Sequence, residues 1–233
     1  MSESTAILDL REIVKRYGTA RNPVPVLRGI TLRVDEGEYV AIVGPSGSGK
    51  STLLNILGCL DRPTQGQYYL AGEDVARMDD KSLSRVRNTR IGFVFQSFHL
   101  VPHLTVEENV EMPLFYRRIP KRERRRRAHE MIERVGLSHR LDHVPSELSG
   151  GECQRTAIAR ALTTAPAMLL ADEPTGNLDS ATTRSILEVM RELNAAGHTI
   201  VMITHDADIA RSAQRRVALR DGQVESDSGK PIP

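Results

Sequence analysis

One stretch, Gly44-Pro45-Ser46-Gly47-Ser48-Gly49-Lys50-Ser51, limits the folds open to this chain more than any other. It matches the pattern GxxxxGK[ST] in full, and its flanks have the required character. Tyr39-Val40-Ala41-Ile42-Val43 before it is a continuous apolar run, as in a strand buried on both faces. Thr52-Leu53-Leu54-Asn55-Ile56-Leu57 after it reads as a helix. Small residues between strand and helix let successive backbone N–H groups curl around phosphate oxygens, and the helix N-terminus adds partial positive charge. In that setting Lys50 neutralises the β- and γ-phosphates of a nucleotide, and the Ser51 hydroxyl ligates Mg²⁺.

The rest of the chain supplies a frame for such a loop. Ala6–Leu10 and Ile30–Val34 read as strands, the second alternating apolar and polar with period two, and residues 35–38 read as a turn. Met168-Leu169-Leu170-Ala171, a helical stretch from Ala181 to Leu193, and Thr199–Ile203 form a parallel strand–helix–strand unit. Between roughly residues 100 and 165 the texture is helical and heavily charged, from Val106 through Arg160. The expectation is an α/β core with a helical insert, and a tail from Asp221, rich in Gly, Ser and Asp, that is poorly ordered.

Two further sites carry chemistry. The strand ending at Ala171 runs into Asp172 and Glu173, which places two acids at the carboxyl end of a parallel strand, where α/β sheets bind ligands. Asp172 is expected to hold Mg²⁺ directly or through water, and Glu173 to orient or deprotonate an attacking water. Leu148-Ser149-Gly150-Gly151-Glu152 opens a second helix, with Ser149 and Glu152 in S-x-x-E capping-box spacing and two glycines in the first turn. Such a helix start is a second anion site, or only a capped helix.

Charge and composition exclude several classes. Lys plus Arg total 32 against 30 Asp plus Glu, for a net charge of +2, too little for a global polyanion binder. The basic run Arg117–Arg127 reads better as a solvated helix face, paired in part with Glu130 and Glu133, than as a nucleic-acid or lipid patch. Nothing apolar is long enough to span a bilayer. The opening residues MSESTAILDL lack a basic n-region, so no secretory leader is expected. Two separated cysteines, Cys59 and Cys153, are too few for a disulfide framework and suit a reducing compartment.

Taken in order, these elements resemble the ATP-binding-cassette (ABC) ATPases over nearly the whole chain. The matching positions are the phosphate loop 44–51, Gln96 in Phe93-Val94-Phe95-Gln96, the signature Leu148–Glu152, the acids Asp172 and Glu173, the turn Asn177-Leu178-Asp179, and His205 in Ile203-Thr204-His205-Asp206. Tyr17 matches the aromatic that stacks on adenine in that family, although without the family pattern it reads as a core aromatic. Glu152 departs from the more usual Gln.

The resemblance implies a phosphate-loop NTPase core with an N-terminal antiparallel β subdomain and an inserted α-helical subdomain. The core would span 1–97 and 166–220, the insert 98–165 and the tail 221–233. ATP and Mg²⁺ would be bound by Tyr17, the loop Gly44, Pro45, Ser46, Gly47, Ser48, Gly49, Lys50 and Ser51, and Thr52. Ser51, Gln96 and Asp172 would be metal ligands, and Glu173, His205 and Gln96 catalytic. Two copies would close head to tail over two ATPs, with Ser149, Gly150, Gly151 and Glu152 reaching the nucleotide from the opposite copy and Asp179 linking the sites.

Local wording at Gly176-Asn177-Leu178-Asp179, at Leu100–Val110 and at Leu57–Thr64 is similar to the ATPase subunits of macrolide-efflux and lipoprotein-release systems. That resemblance implies a peripheral subunit on the cytoplasmic face of the inner membrane, with a separate transmembrane permease, no nucleic acid and no insertion of its own. Phe98, Leu100, Val101 and Leu104 beside Gln96 would form the groove that receives the permease. A regulatory ABC ATPase acting on a cell-envelope enzyme, or one acting on nucleic acid, are the alternatives.

Overall fold

The computed structural model describes residues 6–19 and 22–229. Two long strands, β1 (Ala6–Thr19) and β2 (Asn22–Asp35), pair antiparallel, and β3 (Tyr39–Val43) leads into α1 (Lys50–Leu57). β4 (Gln65–Leu70), β5 (Glu73–Asp74), α2 (Asp80–Arg90) and β6 (Ile91–Phe95) follow. Next come α3 (Val106–Tyr116), α4 (Lys121–Arg134), two short 3₁₀ turns and α5 (Gly150–Leu162). The chain closes with β7 (Met168–Asp172), α6 (Ser180–Ala195), β8 (Thr199–Ile203), α7 (Ala207–Ala210), β9 (Arg215–Arg220) and β10 (Gln223–Asp227).

The strands form two sheets. One is antiparallel, in the order β2-β1-β4-β5; the other runs β10-β9-β3-β8-β7-β6 and is parallel except for β10. The α/β fold with an N-terminal antiparallel sheet is therefore the one expected. The apolar runs are explained by the period of two. Val40 and Ile42 of β3 pack with Leu170, Val201, α1 and the antiparallel sheet. Tyr39 and Ala41, on the opposite face, pack with Leu169, Ala171, Met202, α5 and α6. The parallel sheet is thus a wall between two cores, and a side chain such as Ile42 or Met202 buried there contributes about 1.5–3 kcal/mol.

α3, α4 and α5 meet through Val106, Val110, Ala128, Ile132, Ile158 and Leu162, which belong to the same core as the sheet residues Leu169 and Met202. The basic stretch lies mainly on α4, and four of its eight basic residues pair with carboxylates. Arg125 pairs with Glu107 (2.8 Å), Arg124 with Glu111 (3.5 Å), Arg126 with Glu123 and Glu130, and Arg127 with Glu123. Glu130 is a partner, as expected from sequence. Three others, Glu107, Glu111 and Glu123, do the rest, and Glu133, expected as a partner, makes no ion pair with these arginines among the described residues.

One expectation fails. Residues 221–229 are not a loose tail: Asp221 and Gly222, with φ 49° and 77°, turn the chain back so that β10 pairs with β9. Arg215 anchors this edge with Asp227 (2.6 Å) and Glu38 (2.8 Å). Residues 230–233 lie outside the described residues.

Candidate nucleotide site

Strand register decides where the functional side chains meet. Ile42 of β3 stands opposite Ile203 of β8, Ile203 opposite Asp172 of β7, and Asp172 opposite Phe95 of β6. The residues just past these positions, Gly44, Thr204, Glu173 and Gln96, therefore leave the sheet at one level. That level is the carboxyl edge of the parallel strands, where such sheets open a crevice for ligands.

At this edge the phosphate loop needs its glycines for different reasons. Gly47 has φ +80° with open space around it, so conformation alone demands glycine there. Gly44 has no room: a Cβ would lie 2.3 Å from the Leu219 carbonyl oxygen and 2.7 Å from Ser48 Oγ. Ser48 is buried beneath the loop, with a hydroxyl that has no partner. Lys50 Nζ donates to the carbonyls of Gly44 (2.7 Å) and Pro45 (2.9 Å), so its ammonium lies across the loop with one of three donors left over. α1 has no acid in its first turn, and the positive end of its dipole is not neutralised from within. Pro45, Ser46 and Ser51 are exposed on the same rim, and Thr52 is half-buried.

Immediately after Asp172 the chain turns sharply, and Glu173 takes a left-handed φ of 45°. Its carboxylate is gripped by the end of β8: Oε1 accepts from the His205 N–H (2.8 Å) and meets His205 Nδ1 at 2.6 Å, while Oε2 accepts from Thr204 Oγ1 (3.0 Å). His205 is largely exposed and Glu173 nearly covered. Burial, and then the neighbouring Glu173 charge, hold the Asp172 carboxyl above its usual range. An elevated carboxyl beside a second acid is an arrangement that a divalent cation relieves.

Gln96 faces Asn177 in a reciprocal pair. Its Nε2 donates to Asn177 Oδ1 (3.1 Å), and Asn177 Nδ2 donates to the Gln96 carbonyl (3.2 Å). Gly176 gives the Gln96 amide its room here, since a Cβ would lie 2.6 Å from Gln96 Nε2 and the amide would have to shift. Asp179 caps α6, accepting from the Thr182 hydroxyl and from the Ala181 and Thr182 N–H groups; the hydroxyl bond first, then the backbone bonds, pull its carboxyl below the usual range. At the start of α5 the capping box is present: Glu152 N donates to Ser149 Oγ, and Ser149 N donates to Glu152 Oε2 (2.8 Å). Ser149 and Gly150 are exposed, while a Cβ on Gly151 would lie 2.6 Å from Thr182 Cγ2. Glu152 Oε1 also meets Arg140 Nε at 2.8 Å; the Ser149 hydrogen bonds first, and Arg140 after them, bring its carboxyl down to about 2.

The structure places some sequence assignments differently. Tyr17 is not a core aromatic: it is 41% exposed, its hydroxyl donates to Asp61 (2.9 Å), and Lys15 lies over its ring. Its exposure comes from the end of the β1–β2 hairpin, which extends past the packed part of the sheet. Asn177 and Thr204 escaped notice as holders of Gln96 and Glu173, although each stands beside a residue already singled out. A groove of about 650 Å³ does open between α2, β6, α3 and α5, lined by Phe93, Phe95, His99, Met112, Tyr116 and Arg160. Phe98, Leu100, Val101 and Leu104 are not among its lining. Phe98 turns the other way, because its left-handed φ of 59° sends its ring toward the start of α5, 3.9 Å from where a Gly150 Cβ would be.

A phosphate-cradling loop set into the carboxyl edge of a parallel sheet, with two acids on the next strand but one, defines a phosphate-loop nucleotide hydrolase. Comparison with known proteins narrows the class. The chain belongs to the ABC transporter family of ATPases, whose pattern it matches over residues 27–176. It is 53% identical to an uncharacterized ABC transporter ATP-binding protein of Thermotoga maritima, over 94% of both chains. It is 47% identical to the macrolide export ATP-binding/permease protein MacB of Marinobacter nauticus, over 97% of this chain and 35% of that protein, so it spans about a third of that relative's length. The dimeric ATP-binding cassette MJ0796, solved in a post-hydrolysis state bound to ADP and Pi, superposes with a TM-score of 0.85 at 44% identity, covering 95% of this chain and 97% of that one.

Proposed function

We propose that this chain is the ATP-hydrolysing subunit of a membrane transporter of the export or lipoprotein-release type, working as an ATP-closed homodimer on a separate permease. The observation that carries the reading is the grip of Thr204 and His205 on the Glu173 carboxylate at the rim of the phosphate loop. Lys50, the loop N–H groups and the open end of α1 bind the triphosphate, with the exposed Tyr17 ring as the base platform. Glu173 takes the proton of the attacking water, and His205 and Thr204 fix the carboxylate in the orientation that receives it. The oxygen donors of Ser51, Gln96 and Asp172 suit Mg²⁺, which takes few protein ligands beside substrate phosphates and water; when bound it would supply charge neutralisation to the phosphates. Gln96 gives its amide nitrogen to Asn177, which leaves its oxygen as the end turned elsewhere.

The exposed Ser149–Gly150 helix start serves the nucleotide of the opposite copy, and Asp179, at the neighbouring helix start, lies beside that junction. The division into a core of 1–97 and 166–220 with an insert of 98–165 describes the bodies that move during closure. The groove beside Phe93 and Tyr116 takes a cytoplasmic helix of the permease, with the subunit seated on the cytoplasmic face of the inner membrane. Among the described residues no helix is long and apolar enough to cross a membrane. The acid pairing of Arg124–Arg127 favours a protein partner over nucleic acid. The test is to identify the membrane protein that co-purifies with the subunit and measure its stimulation of ATP hydrolysis. Tyr116→Asp, at a residue 72% exposed, should keep basal turnover and lose the stimulation. Equal stimulation of the variant would remove the groove from the coupling route.

A further inference from the structure

We propose that Arg160 is a positioning residue for Gln96: its guanidinium locks the loop after β6 to the signature helix α5, so that the helix start and Gln96 move together. Phe98 and His99 are consecutive non-glycine residues with φ of 59° and 48°. Left-handed backbone is sterically costly for side chains of this size, and two in succession persist only where the surroundings hold them. They also aim two successive carbonyls to one side. One planar fork meets both: Arg160 Nη1 donates to the His99 carbonyl (2.5 Å) and Nη2 to the Phe98 carbonyl (2.7 Å). A lysine ammonium is a point donor without that fork.

The guanidinium is half-buried, its pKa is lowered by desolvation, and among the described residues no carboxylate pairs with it. A desolvated cation held only by backbone dipoles is an expensive choice where packing alone is needed. Its return is a closed ring of contacts. Arg160 fixes Phe98, whose ring lies over the start of α5 at Gly150; Gly150 and Gly151 abut Leu178 and Thr182 at the start of α6; and Asn177, one residue from Leu178, holds Gln96, two residues from Phe98. A second anchor, the buried amide of Asn109, bonds Val101, Leu104 and Thr105 and ties the remainder of this loop to α3. Displacement of α5 is therefore carried into Gln96 by hydrogen bonds of fixed geometry and not by loop drift.

The proposal rests on the reading of Gln96 as part of the nucleotide site. Arg160→Met should leave ATP affinity of the isolated subunit within about twofold and lower kcat at least tenfold, with Arg160→Lys in between. The decisive arm is His99→Gly in the Arg160→Met background: glycine accepts left-handed φ without strain, so kcat should recover severalfold, which restoring a merely structural side chain contact would not do. A parental kcat in Arg160→Met, or an effect of His99→Gly that simply adds to it, overturns the proposal. If Arg160→Met does not fold, Arg160→Lys with and without His99→Gly carries the same comparison. Gln96→Ala, measured alongside, separates the two readings: if it hydrolyses at the parental rate, the role of Gln96 has failed and not the lock alone.

Discussion

Replacing Glu173 with glutamine separates the chemistry of this site from its architecture. The carboxylate receives three donors, from the His205 N–H, His205 Nδ1 and Thr204 Oγ1. A glutamine keeps one oxygen for the two His205 donors and turns its amide nitrogen to Thr204. That hydroxyl already accepts from the Asp206 N–H (3.1 Å) but has a second lone pair to offer. Charge-assisted bonds become neutral ones, a loss of about 1–2 kcal/mol in all. Part of this is offset at Asp172, whose raised carboxyl owes its second contribution to the Glu173 charge. The melting temperature should fall by only a few degrees, about 2–4 °C per kcal/mol for a chain of this size. Turnover should drop by about 10²–10⁴, or roughly 3–5 kcal/mol in the barrier, because the proton acceptor is gone. ATP affinity measured by calorimetry should hold, and sizing chromatography with ATP and Mg²⁺ should show a trapped dimer. Turnover within threefold of the parent with binding intact would refute the assignment of Glu173 as the base. A melting temperature more than about 10 °C lower would make the residue structural.

Other outcomes follow from the same geometry. Lys50→Ala removes the cation across the loop and should weaken ATP binding by about 2 kcal/mol, some thirtyfold, by calorimetry; an unchanged Kd would contradict the phosphate-loop reading. Ser149→Arg should leave that binding intact and abolish the ATP-dependent dimer on a sizing column, whereas a dimer that still forms would free Ser149 from the interface. Glu152 has its carboxyl lowered to about 2, so its contribution to stability is complete above the ordinary 4.5 and is lost as pH falls toward 2. Glu152→Gln should flatten the fall in melting temperature over that acid window, and an unaltered acid limb would deny the capping box and Arg140 that role.

How far sequence carried the reading depended on whether the deciding interaction was local. The phosphate loop, the β3 run and the capping box at Ser149 are set by neighbours in the chain, and each stands where its pattern puts it. Phe98 and His99 escaped because nothing about either residue announces left-handed backbone; the cause is Arg160, on another helix. Tyr17 could not be placed because its exposure depends on how far a hairpin outruns its sheet. The misjudged tail is different, for the signal was there: Asp221-Gly222 between two short alternating stretches is a hairpin turn, and the polar composition of β10 is that of an edge strand. The partners of the α4 arginines lay partly out of view because Glu107 and Glu111 sit on α3, across a helix pair that sequence does not align.

The back of the phosphate loop has a consequence for the life of the chain before it is finished. Gly44 packs against the Leu219 carbonyl, Gly222 N–H donates to the Ser48 carbonyl (3.1 Å), and Gly49 lies beside Gly222. The phosphate loop is thus buttressed by residues of the β9–β10 hairpin, which is synthesised much later in the chain. At roughly 5–20 residues per second, the loop waits on the order of ten seconds or more for that support. A nascent chain that has not yet reached β10 therefore lacks this brace behind its phosphate loop.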